Sequence, residues 1–478
     1  MKLAELVTKP GRAILAGVPE GLDALAIADA ARLSGAKGHI HVARDDHRLA
    51  AIAEALSFFA PDLEVLIFPA WDCLPYDRVS PANDNLARRL ACLAALARRD
   101  KQETPLLVLT TINAIMQRLP SPHIVQQASF VAVPGNRIDL NEIQEFLITN
   151  GFSRSGTVVD PGDFAVRGGI VDIFPPGSEE PVRLDFFGDT LESIRAFDPE
   201  TQRTTGQKKS LTIEPASEVL LNAATVSAFR TRYAQAFNGV DIHDPLYEAI
   251  SAGRRYQGME HWLPLFHEKL SHLGDYLPRA ALSLDHLSEE AANARRELIN
   301  EYFNARTEAL KQQAFGAAPY KPLPPEALYL TPDDWQKLLA FRPHFQLSPF
   351  EVPETEANRV LSLNGKHGRG FAAERAETGR NVYEAVRGHV MGLHKQGKRV
   401  IFAAWTDGSR ERLETILRDH GVEPIVASTS WNEAINRKAD IFGIVTLGME
   451  TGFETPDLAI IAEQDILGDR LSTEQVSL

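Results

Sequence analysis

The sequence predicts a multi-domain α/β protein, and three observations lead there. The chain has 478 residues, more than one hydrophobic core fills. Toward both ends, short apolar runs alternate with helical patterns, the sign of a parallel sheet covered by helices. Between them lies a stretch of short strands punctuated by Gly and Pro.

Residues 1 to about 125 form the first zone. Ala13–Val18, His39–Ala43, Leu63–Phe68 and Leu106–Thr110 read as strands, with helices over Gly21–Leu33, Arg48–Phe59 and Asn85–Arg98. Residues 126–215 read as a small α+β domain on a curled antiparallel sheet. Its strands are Gly168–Phe174, then Pro181–Phe187 after the turn Pro175–Glu180, then Ser193–Asp198. Residues 216–345 return to helices. In Glu289–Gln313, Ala292, Leu298, Phe303 and Leu310 are spaced as on one helix face. Pro319–Pro325 and Pro343–Pro353 read as linkers or boundaries. Residues 354–472 are again α/β, with strands Arg399–Ala404, Ile441–Thr446 and Leu458–Ala462. The helix Ser409–His420 opens at Asp407–Gly408 and closes at Gly421.

Composition narrows the function. The net charge is −14, so sequence-independent duplex binding, which needs clustered Lys and Arg, is disfavoured. Met1–Pro10 lacks the apolar core of a signal peptide, and no apolar run approaches the roughly 20 residues that span a bilayer. Cys73 and Cys92 are the only cysteines, which suggests a reducing compartment and a cytoplasmic location. No membrane association and a monomeric state are expected.

The first strand–turn–helix contains Gly17-Val-Pro-Glu-Gly21-Leu22-Asp23. A nucleotide phosphate loop occupies this context. It needs glycines so that backbone N–H groups face the phosphates, Lys for the outer phosphates, and Ser or Thr for magnesium. Gly17 and Gly21 are present, but Leu22 and Asp23 stand where Lys and the hydroxyl belong. A carboxylate at the helix start repels phosphate while capping the helix well, and Glu20 adds to the repulsion. The loop therefore reads as one inherited from a nucleotide fold that now only turns the chain.

A second motif lies in the central zone. If Val182–Phe187 is a strand, its side chains alternate between faces. Val182, Leu184 and Phe186 form an apolar face; Arg183, Asp185 and Phe187 form the other. An aromatic on a charged face is out of pattern for a solvated surface, whereas interface anchors are enriched in aromatics and Arg. The preceding hairpin brings Arg167 roughly opposite Phe187.

The central zone contains Phe164-Ala-Val-Arg167-Gly-Gly-Ile-Val-Asp172-Ile-Phe-Pro175, Arg183-Leu-Asp-Phe-Phe187 and Phe197-Asp-Pro-Glu-Thr-Gln-Arg203-Thr204. These motifs resemble the transcription-repair coupling factor family and its relative UvrB. Also similar are Phe68-Pro-Ala-Trp71 through Pro81, Arg88-Arg-Leu90, Gly258-Met-Glu-His261-Trp262 through Phe266, and Glu463-Gln-Asp465 through Arg470. The resemblance implies a domain plan. Residues 1–125 and 216–345 would be two parts of a UvrB-like domain with a degenerate RecA/helicase-like parallel α/β fold, 126–215 an inserted small α+β UvrA-binding domain, and 354–472 a second α/β domain. It also implies that Arg167, Arg183 and Phe187 bind UvrA.

No ATPase is expected in this region. The resemblance assigns ATP, magnesium, RNA polymerase and DNA to carboxy-terminal domains that lie beyond it. The rival reading is a UvrB-like ATP-dependent helicase subunit. Leu22 and Asp23 argue against it, as does the direct run from Trp71–Pro81 into a helix where UvrB carries a DNA-clamping hairpin.

Other candidates carry less. Gly448–Asp465 is similar to a second helicase lobe, yet no Arg lies between Lys438 and Asp469 to act as a finger. His261, His267, Glu268 and His272 suggest a metal, but His267 and His272 are five apart and do not share a helix face. No metal is expected. Gly365-Lys-His-Gly-Arg-Gly370 reads as a solvated loop, and Asp160, Asp163 and Asp172 as turn and strand-surface residues.

Overall fold

A computed structural model of the chain describes residues 2–99, 104–312, 319–355, 359–377, 379, 381–438 and 440–468. Asp469, Arg470 and the last residues of the expected 354–472 domain lie outside that set. The first part supplies strands β1 (Gly11–Ala16), β2 (His39–Ala43), β3 (Glu64–Phe68) and β4 (Leu106–Thr111). The middle supplies β5 (Phe130–Ala132), β6 (Ser153–Arg154), β7 (Asp163–Arg167), β8 (Ile170–Ile173), β9 (Val182–Phe187), β10 (Thr190–Phe197), β11 (Thr204–Lys208) and β12 (Leu211–Ile213). Then come β13 (Ala281–Leu284), β14 (Pro343–Leu347) and β15 (Arg359–Ser362). The last part holds β16 (Lys366–His367), β17 (Arg399–Ala404), β18 (Ile425–Ala427), β19 (Phe442–Thr446), β20 (Phe453–Glu454) and β21 (Leu458–Ala462).

The first sheet has seven parallel strands in the order β15-β1-β14-β13-β2-β4-β3. The multi-domain α/β class read from the sequence is what the chain adopts. The sheet's membership is wider than the local pattern suggested. Pro343–Leu347, expected in a linker, is a central strand with Phe345 fully buried. Proline is tolerated there because it is the first residue of the strand. Arg359–Ser362 lies in the segment expected to open the last domain, yet it pairs in parallel with β1. The helix Ser288–Gln312 matches the expected periodic segment, although Ile299 rather than Leu298 is its fully buried apolar residue at that turn.

The inserted domain is built on a six-stranded sheet, β11-β10-β9-β8-β7-β6, antiparallel except for β6 with β7. The helix Leu140–Thr149 and the β5–β12 pair cover one face. Ile143, Leu147, Ala132 and Ile213 pack there against Val171, Val182, Leu184 and Ile194.

In the last domain, β18-β19-β17-β21 run parallel, and β20 and β16 extend the sheet antiparallel at one edge. This domain shares a core with the first. One buried cluster runs from Leu15, Ile27 and Leu56 to Ile401, Val445, Met449 and Phe453. Trp431 meets Phe59 edge-on at 4.9 Å. Among the described residues, no helix is long and apolar enough to cross a membrane.

Candidate functional site

The loop from Gly17 to Asp23, expected to be a phosphate-loop remnant, is filled by the protein itself. Gly17 and Gly21 have φ of +62° and +95°, the left-handed region that favours glycine. The Asp23 carboxylate accepts from the Gly21 and Ala24 amides at 3.0 and 2.8 Å. It thus takes backbone N–H groups at the helix start that a phosphate would otherwise use. Asp23 in turn pairs with the buried Arg48, which also reaches Asp285 at 3.4 Å and Glu20 at 3.3 Å. Burial works against the Arg48 charge, but Asp23, Asp285 and Glu20 outweigh it and raise its pKa.

Two further elements close the loop. The Gly365 amide donates to the Gly17 carbonyl at 2.9 Å, and Gly365 is buried. The expected solvated loop is therefore packed on the loop from Gly17 to Asp23 at that point. The reason is its position: it links β15, beside β1, to the last domain. In the segment similar to a helicase lobe, Met449 and Phe453 press on Gly21, leaving no room there for a Cβ. A cavity of about 200 Å³ remains between the two domains, lined in part by Glu20, Glu54, Trp405 and Glu450. Its carboxylates repel phosphate.

The second candidate lies on the inserted domain. Val182 and Leu184 are fully buried and Phe186 packs on the same core, while Phe187 on the opposite face is 77% exposed. Phe187 sits at the tip of the β9–β10 hairpin. The Phe186 amide donates to the Gly169 carbonyl at 2.8 Å, which sets the β7–β8 tip beside it. Arg167, the last residue of β7, is exposed at that tip and donates to the Gly156 carbonyl.

Arg183 stands differently. Its Nε and Nη2 donate to Asp172 at 2.6 and 2.8 Å, and its guanidinium lies 4.9 Å from the Phe197 ring. The Asp172 hydrogen bonds raise its pKa against a smaller effect of burial. Asp172, expected on the strand surface, is only 2% exposed. The cause is register: Asp172 lies directly opposite Arg183 in the β8–β9 pairing. Asp163 does cap a turn, accepting from the Asp160 amide at 3.2 Å.

A second pair, missed in the sequence, continues the same face. Arg195 on β10 donates through Nε and Nη2 to Asp185 at 2.8 and 2.7 Å, and Ser193 Oγ adds a bond at 2.7 Å. The alternation Ser193-Ile194-Arg195 was the available signal, since it repeats the parity of β9.

The histidines do not converge. Among the described residues, no group of three or more His, Cys, Asp or Glu side chains is arranged to hold a metal. His261 packs edge-on against Trp71 at 5.4 Å. Burial pushes His261 and His267 down to about 4.

Comparison with known proteins agrees with these domains. Residues 132–219 match the family model described as the UvrB interaction domain, and residues 393–466 match the D3 domain of MFD. A transcription-repair-coupling factor of Rickettsia bellii is 30% identical over 422 residues, covering 87% of this chain and 35% of that protein. The Myxococcus xanthus protein of the same name is 32% identical over 489 residues, covering 92% and 38%. The Escherichia coli K12 protein is 28% identical over 436 residues, covering 90% and 36%. The chain thus spans little more than a third of the length of these relatives. Both domain matches are present and the similarity runs along about nine-tenths of its length: the chain carries a UvrB interaction domain and an MFD D3 domain, and it is similar throughout to transcription-repair-coupling factors.

Proposed function

We propose that this chain docks on the repair protein UvrA through Arg167, Arg183 and Phe187, and that it neither binds nor hydrolyses ATP. In the whole protein, this docking would bring UvrA to stalled RNA polymerase during nucleotide excision repair, with polymerase and DNA held by other domains. The observation that carries the reading is Phe187. It is a large aromatic, 77% exposed, on a strand whose other face packs on the core through Val182, Leu184 and the partly buried Phe186. Arg167 lies exposed at the adjacent hairpin tip. Exposed aromatic and Arg side chains at one spot are what interface hot spots are made of. The silence toward ATP rests on Asp23, whose carboxylate occupies amides at the helix start.

Titration calorimetry with purified UvrA tests the docking. Phe187→Ala and Arg167→Ala should each weaken binding about tenfold or more, since truncated anchors commonly cost about 2 kcal/mol. Unchanged affinity in both variants would remove the site.

A further inference from the structure

Arg183 and Phe187 lie two residues to either side of Asp185 on one strand face, about 13 Å apart. A partner that touches both must cover what lies between them, and a built arrangement lies there. Asp185 receives three hydrogen bonds, two from Arg195 and one from Ser193. In the β9–β10 register, Arg195 stands opposite Arg183 and Ser193 opposite Asp185. The irregularity between Leu191 and Ser193 turns Glu192 out of the pairing, so Ser193 and Arg195 share the face of Asp185. The Arg195 side chain is still 40% exposed, and its Nη1 has no hydrogen-bond partner among the described residues.

We infer that Arg195, clamped by Asp185, is a fourth contact of the docking face, its guanidinium held beside the strand segment between Arg183 and Phe187. Its free Nη1 would donate to a carbonyl or carboxylate oxygen of the partner. The inference rests on the docking reading above. Three physical points support it. Arg is enriched among energetically dominant interface contacts. The two-pronged clamp fixes the Arg195 fork before docking, so less side-chain freedom is lost on binding. Asp185 already has three donors, so a partner can cover it without stranding an unpaired charge. Asp185 is then a positioning residue, acting through Arg195.

The test titrates UvrA into the full chain and its Arg195→Ala, Arg195→Lys, Asp185→Asn and Phe187→Ala variants, with a melting curve for each. Arg195→Ala should lose about tenfold or more in affinity while melting close to the parent, because a partly exposed pair adds little stability. Arg195→Lys keeps the charge without the fork and should fall between the two. Asp185→Asn should weaken binding in the parent but add nothing in the Arg195→Ala background. A purely structural role for Asp185 would instead weaken both. If Phe187→Ala binds poorly and both Arg195 variants bind like the parent, Arg195 is not a contact and only this inference is overturned. If Phe187→Ala also binds like the parent, the docking site itself is overturned. Should Arg195→Ala melt low, Arg195→Lys decides: parental affinity there overturns the inference.

Discussion

Removing Arg183 should destabilise the inserted domain, whereas removing Phe187 should not. Sequence alone places both on one surface face and expects both truncations to spare the fold. The Asp172 carboxylate changes that for Arg183. It is 2% exposed and held by two bonds at 2.6 and 2.8 Å. In Arg183→Ala it stays buried with its counter-charge gone. Breaking a buried pair from one side costs about 3–5 kcal/mol. The Arg183 side chain is itself 19% exposed, so water can follow into the space it leaves, which points to the low end. For a domain of this size, about 3 kcal/mol corresponds to a fall on the order of 10–20 °C in melting temperature. Phe187→Ala should change stability by no more than about 0.5 kcal/mol, as at other exposed positions. The assay is calorimetric melting of Arg183→Ala, Phe187→Ala, Asp172→Asn and the Arg183→Ala/Asp172→Asn double variant. The double variant should recover part of the loss, because a neutral amide replaces the stranded carboxylate. Parental melting of Arg183→Ala would refute the reasoning and show that Asp172 does not depend on its partner. If the fall occurs, affinities of Arg183→Ala must be read against its folded fraction, whereas Phe187→Ala reports on docking directly.

Three further outcomes are expected. Leu184→Ala, at a fully buried position behind the docking face, should cost about 2–5 kcal/mol in a denaturant titration and leave UvrA affinity unchanged wherever the domain is folded. Parental stability would reverse the assignment of the two faces. The double substitution Leu22→Lys/Asp23→Thr restores the residue types of a phosphate loop, yet calorimetry should detect no saturable ATP binding, because Gly365, Met449 and Phe453 still fill the loop. Saturable binding would show that chemistry alone, not packing, had closed the site. Stability should also fall in mild acid. Burial holds His39 and His41 down to about 3, and His261 and His267 down to about 4. Below about pH 6.5 the unfolded chain binds protons that the folded chain refuses, so stability present above that pH is lost toward pH 4, at about 1.4 kcal/mol per unit for each such histidine. Melting should drop between pH 7 and pH 5, with a shallower slope in His267→Gln; a flat profile would contradict the neutral, buried assignment.

Local periodicity was enough to read much of this molecule. The split of Val182, Leu184 and Phe186 from Arg183, Asp185 and Phe187 follows from the two-residue repeat of a strand, which needs no knowledge of distant chain. That Leu22 and Asp23 stand where a phosphate loop carries Lys and a hydroxyl was equally plain, whatever surrounds them. Partners were not legible in the same way. Asp23 meets Arg48 from the next helix, and both lie near Asp285 at the end of β13. Asp172 meets Arg183 only because a hairpin sets that register. Pro343–Leu347 and Arg359–Ser362 read as linker and boundary until β1 takes a place between them. A parallel strand finds its neighbours through long crossovers, and nothing in its own residues names them. A buried charge is likewise tolerated only with a partner, and for Asp23 and Arg48 the tertiary structure alone decides which group that is.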